Sequence, residues 1–229
     1  MTEEGKRYLL LQLNDSLFPV GSYSHSYGLE TYIQKNLVKD QETAARYVRN
    51  NLLYEICPNE LLAVRMAYEA AQEEDMSRIF FLDELVTAAR TPKEVRAAGE
   101  KMGSRFLKTV AALPVAYEKD IFLHYAERPG KKNYTVIYGT FCAAAGIREK
   151  MTLEHYLYAQ TSAIVTNCVK AIPLSQTVGQ KLLFSCQEIW PAAIERVMQM
   201  TEEEYGSAAP GFELRCMQHE GLYSRLYMS

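Results

Sequence analysis

The chain lacks the spacings on which most chemistry is built. It has no Cys-x-x-Cys pair, and its five cysteines are an odd number. That argues against a disulfide framework and fits a reducing compartment. The four histidines, His25, His124, His155 and His219, show neither His-x-His nor His-x-x-x-His spacing. No tight single-chain metal site follows from them, although two chains together could use His25, or Cys216 with His219. Gly179-Gln180-Lys181 suggests a phosphate loop only superficially, because the upstream glycine is missing and Leu182 stands where a magnesium-binding hydroxyl is required. No Gly-x-Ser-x-Gly elbow is present, so Asp15, Ser24, His25 and Ser26 read as a hydrogen-bonded loop rather than an acyl-transfer triad. Glu202 and Glu204 read as a solvated acidic face rather than an acid/base pair. A net charge of −3 supplies no basic stripe for nucleic acid. Apolar residues 8–11 follow Lys6-Arg7, but Gln12, Asn14 and Asp15 cut the run short of a signal peptide or membrane span. The expectation is a cytoplasmic protein with no catalytic residues and no cofactor.

What remains is helical. Apolar residues recur at spacings of three and four from Asp40 onward, with no lasting strand-like alternation, so the fold class is all-α. No linker divides residues 1–229, which read as one domain. Asp40 caps a helix expected to end at Pro58, and Asn59 caps the next. Thr91-Pro92-Lys93-Glu94 reads as a capping box opening a helix that Pro114 ends. Gly146 stops another, and Thr152 starts a helix to about Lys170. Val178, Leu182, Cys186, Ile189, Ala193, Val197 and Met200 form one apolar stripe, in which Pro191 marks a kink or a restart.

Residues 1–39 are different. Between Gly21 and Gly28 lie Ser22, Tyr23, Ser24, His25, Ser26 and Tyr27, all able to hydrogen-bond. The string Gln12-Leu13-x-Asp15-Ser16-x-Phe18-Pro19-x-Gly21-Ser22-Tyr23-x-His25-Ser26-x-Gly28-Leu29-Glu30 resembles the N-terminal signature of the UreF family of urease accessory proteins. The likeness continues through residues 91–107, with Arg96 and Met102-Gly103-x-Arg105, and through the small-residue segment 138–147. Residues 171–182 are similar to the family's Pro-Leu-x-Gln-x-x-Gly-Gln segment, and 217–229 to its His-Glu-x-x-Tyr-Ser-Arg-Leu ending. Ser175 departs from the pattern, since many members carry glycine there.

The resemblance implies a homodimeric, all-α scaffold for nickel insertion that joins the GTPase UreG to UreD (also called UreH) and apo-urease. It implies a UreG platform at Tyr23, His25, Ser26, Glu30 and Arg225. A partner-binding tail, 206–229, would dock UreD/UreH through Met217, His219, Glu220, Tyr223, Leu226 and Tyr227. Arg225 is expected to donate to the N-terminal loop, stacking on Tyr23, and Ala143–Gly146 to permit close packing at the dimer interface. The sixteen tyrosines suit protein contacts, or the seams between helices. A direct nickel-binding metallochaperone and a hydrolase of another type are the competing classes.

Overall fold

The computed structural model describes residues 1–207 and 209–228. Ala208 and Ser229, both within the proposed tail, lie outside the described residues. The chain runs through α1 (Glu3–Leu13), a 3₁₀ turn (Ser22–Ser24), α2 (Leu29–Gln34) and α3 (Gln41–Asn51). A π-helical stretch (Leu52–Leu61) leads into α4 (Leu62–Gln72), α5 (Met76–Ala89), α6 (Lys93–Val110) and α7 (Ile121–Glu127). Then come α8 (Tyr134–Ala144), α9 (Glu149–Ala171), α10 (Gln176–Ser185), α11 (Trp190–Gln199) and α12 (Pro210–His219). The protein is all-α.

Helix α8 is the axis of the molecule, and every one of its residues is buried. It packs most closely on α4 and next on α6. The approach to α4 requires Gly139, because a Cβ there would stand 2.4 Å from the Val64 carbonyl oxygen. Phe106, Tyr138, Phe141 and Tyr156 interlock around α8, with Phe106 and Phe141 edge to face at 5.4 Å. Many tyrosines are therefore core: Tyr125, Tyr134, Tyr138 and Tyr156 are buried, whereas Tyr8, Tyr54, Tyr158 and Tyr223 are exposed. Ala143, Ala144 and Ala145 are buried in the same core. The expectation that Ala143–Gly146 supplies a dimer face is corrected, because this chain's own α4 and neighbouring helices already cover it.

Several boundaries differ from those read in the sequence. Pro58 does not end a helix, because the chain continues in π-helical form through it into α4. In that register Pro58 would donate to the Leu53 carbonyl; its missing N–H is replaced by Arg196 of α11, which donates to that oxygen at 3.0 Å. Asn59 accordingly caps nothing, and its amide donates to the Glu55 carbonyl at 2.9 Å. Helix α6 starts at Lys93 without a side-chain cap, so Thr91-Pro92-Lys93-Glu94 is not a capping box. It stops at Val110, short of Pro114, and α9 begins at Glu149 rather than Thr152. The apolar stripe from Val178 is divided between α10 and α11, with Pro191 in the first turn of α11, where no N–H is needed. Asp40 does cap α3, in a reciprocal box with Thr43. Ser175 caps α10, accepting from Val178 N at φ −75°, a backbone angle that asks for no glycine.

Candidate functional site

The N-terminal signature folds as a loop that returns twice through left-handed backbone. Gly21 and Gly28 take φ of +83° and +82°, and a Cβ at Gly21 would strike the Arg105 guanidinium. Both positions require glycine. Between them the 3₁₀ turn leaves Ser22, Tyr23 and Ser24 half-buried, while His25 and Ser26 turn inward. Asn167 of α9 donates to the His25 carbonyl at 2.8 Å. Burial, then the nearby Lys101 and Arg105 charges, push the His25 imidazole down to about 4, so it is neutral in the fold.

Gly28 opens α2 and lies directly under α12. A Cβ there would stand 3.0 Å from the Cys216 backbone nitrogen, which fixes how closely the two helices meet. Thr31 Oγ1 donates to the Arg215 carbonyl at 2.9 Å across the same contact. Val95 of α6 closes this small apolar cluster with Phe212 and Cys216.

At the far end of α12, His219 is 0% exposed and lies between two carboxylates. Its Nε2 is 2.9 Å from Glu30 Oε2, and its Nδ1 is 2.7 Å from Glu94 Oε2. Beyond α12 the chain doubles back over α2. Leu226 N donates to Glu30 Oε1 at 2.7 Å, and Tyr227 N donates to Glu30 Oε2 at 3.0 Å. Arg225 Nη1 donates to Glu94 Oε1 at 2.7 Å, Gln34 Nε2 to the Ser224 carbonyl at 3.2 Å, and Met228 N to the Ser24 carbonyl at 2.9 Å. The backbone of the ending thus faces the signature. Tyr223, Leu226 and Met228 point into solvent.

The two ends of the chain do meet, but not as expected. Arg225 pairs with Glu94 on α6 instead of donating to the loop and stacking on Tyr23. Of the five residues assigned to a UreG platform, His25, Ser26 and Glu30 are buried, Tyr23 is half-buried and Arg225 is exposed. Of those assigned to UreD/UreH, Met217, Glu220, Tyr223 and Leu226 are exposed, Tyr227 is half-buried and His219 is enclosed. A buried side chain cannot touch a partner directly, and this holds for His25, Ser26, Glu30 and His219; of the four, Glu30 holds the backbone of residues 226 and 227. Glu94 is the residue that sequence reasoning misplaced, because its position after Thr91-Pro92-Lys93 imitates a cap. Within the tail 206–229, Pro210–His219 forms α12, with Phe212, Cys216 and His219 buried.

Behind the loop lies an interior cavity of about 60 Å³, bordered by His25, Ser26, Asn51, Glu55, Arg90 and Asn167. Among the described residues, Ser26 Oγ and Asn167 Oδ1 find no hydrogen-bond partner. Ordered water is the usual means by which such buried atoms are satisfied. Arg90 is paired to both Glu55 and Glu60. Burial pushes the Glu55 carboxyl up to about 7 against the pull of the guanidinium, so one cation serves two carboxylates of which one keeps its proton in mild acid. Among the described residues, no group of three or more His, Cys, Asp or Glu could hold a metal ion, and no helix is long and apolar enough to cross a membrane.

Residues 38–187 match the family model described as UreF. Over 228 residues the chain is 35% identical to a curated protein of Bacillus sp. (strain TB-90) named urease accessory protein UreF, covering 96% of this chain and 97% of that one. The family model's match leaves both the signature and the ending outside it.

Proposed function

The chain belongs to the UreF family of urease accessory proteins, and from that membership we propose that it is the scaffold that joins UreG to UreD/UreH and apo-urease while nickel is inserted. It is an accessory protein rather than an enzyme. The observation that carries the scaffold reading is the double contact of Glu30 with the amides of Leu226 and Tyr227. That contact spends the polar backbone of the ending on the chain's own signature and leaves Tyr223, Leu226 and Met228 outward, a combination suited to seating a partner. UreD/UreH is the partner assigned to this surface, and the half-buried Tyr23 turn beside it is assigned to UreG. The working form is a cytoplasmic homodimer, whose twofold symmetry presents two equivalent docking faces. A direct nickel chaperone would need donors from two chains, since none of the described clusters suffices within one.

Capture experiments test the assignment. With tagged chain and separately purified partners, substituting Leu226→Ser and Tyr223→Ser together should weaken UreD/UreH capture at least tenfold without changing the helical circular-dichroism signal. Undiminished capture would remove UreD/UreH from this surface.

A further inference from the structure

The contacts of His219 count its protons. Each nitrogen–oxygen contact, at 2.9 Å to Glu30 and 2.7 Å to Glu94, requires one hydrogen between the two atoms. Neutral imidazole carries only one. The second must come from a doubly protonated ring or from a protonated carboxyl. Glu30 already accepts from Leu226 N on one oxygen and from Tyr227 N on the other, which suits an ionised, acceptor-only group. Glu94 likewise acts as an acceptor, from the Arg225 guanidinium.

We infer that His219 is held as an imidazolium and is the positioning residue for the C-terminal ending. The cluster then contains two carboxylates, one imidazolium and one guanidinium, and is neutral. Glu30 faces His219 from α2, Glu94 faces it from α6, and Arg225 reaches it only through Glu94. Without the ring, Glu30 would be a charge 6% exposed with only two backbone N–H groups to compensate it. His219 lets an ionised Glu30 stay inside and hold residues 226 and 227. The inference rests on the docking role proposed for the ending and adds the residue that positions it.

Nitrogen-15 NMR of the full-length chain tests the protonation state directly. Near neutral pH both ring nitrogens of His219 should show the shifts of N–H groups. A ring with one bare nitrogen would overturn the inference. Hydrogen exchange gives the positional test: in His219→Leu, protection of the Leu226 and Tyr227 amides should fall at least tenfold while α8 amides keep theirs. Unchanged protection would overturn the positioning role. Should His219→Leu fail to fold, His219→Gln permits the same measurement with the Glu30 carboxylate intact. UreD/UreH capture by the wild-type chain is scored separately. If the wild type captures nothing, the docking reading fails while the ring and amide results stand. If wild type and His219→Leu capture equally, the link between His219 and docking fails.

Discussion

Gly28 and Cys216 bring the two ends of the chain together: Gly28 has no side chain where the Cys216 backbone passes, 3.0 Å from the place a Cβ would occupy. Gly28 also needs its φ of +82° to turn the signature into α2. Gly28→Ala meets both obstacles at once. The expected loss is about 2–3 kcal/mol of unfolding free energy, combining left-handed strain with displacement of α12. Urea denaturation should show it, together with weaker protection of the Leu226 and Tyr227 amides.

Gly139 has the same role at the centre of the molecule, against the Val64 carbonyl. Gly139→Ala should destabilise the fold by about 1–3 kcal/mol by forcing α8 from α4. Because this contact is internal, the substitution should leave the association state unchanged. Sedimentation at micromolar concentration is expected to give about twice the 26.1 kDa chain mass for wild type and variant alike. A variant that becomes monomeric while still folded would place an intersubunit contact here.

The tail separates into two parts that truncation should distinguish. Removing residues 223–229 deletes Arg225 and the two amides on Glu30 but keeps His219. The chain should stay folded, losing about 1–3 kcal/mol, and lose UreD/UreH capture. Removing residues 218–229 also removes His219 and leaves Glu30 and Glu94 without their cations, at an added cost of about 3–5 kcal/mol. The longer truncation is therefore not the neutral deletion that an unstructured tail would permit. Thermal melts of the two truncations check the difference.

How much of this was legible beforehand depended on whether the governing interaction was local. Asp40 with Thr43 and Pro191 in the first turn of α11 are short-range, and their residue types announce them; Ser175 with Val178 is equally local, though in the sequence the serine stands out only as a departure from the family pattern. Gly21 and Gly28 were conspicuous in the sequence for the backbone freedom they use. Pro58 misled because its compensation comes from Arg196, far along the chain. Glu94 misled because an acidic residue in a first helical turn is normally local, whereas here it serves His219 and Arg225. The meeting of the two signatures could be suspected from their polarity, but the bond that makes it, Glu30 to Leu226 and Tyr227, uses backbone N–H groups that no side-chain pattern reveals.

Two buried groups give the fold an acid response of opposite sign. Glu55 holds its proton up to about pH 7 in the fold, against an ordinary value of 4.5, so its contribution is present below pH 4.5 and lost as pH rises through 7. His25 is depressed to about 4 from 6.5, so its contribution is present above pH 6.5 and lost as pH falls towards 4. Each is worth about 3 kcal/mol at most. Between pH 4.5 and 6.5 they oppose one another, and these two groups together give a nearly flat profile. Glu55→Gln should remove one slope, leaving stability that falls steadily with acid below pH 6.5, as urea midpoints across that range would show. A variant profile parallel to wild type would exclude a buried, protonated Glu55.

The central claim is that this chain joins partners through the surface its two signatures build. Co-expression of the untruncated chain with UreG and UreD/UreH, followed by affinity purification and sedimentation, tests it most directly. The account predicts one assembly containing all three proteins, with UreD/UreH lost when residues 223–229 are removed and the truncated chain still folded. Partners that elute separately from the intact chain, or an assembly that keeps UreD/UreH after that truncation, would contradict it.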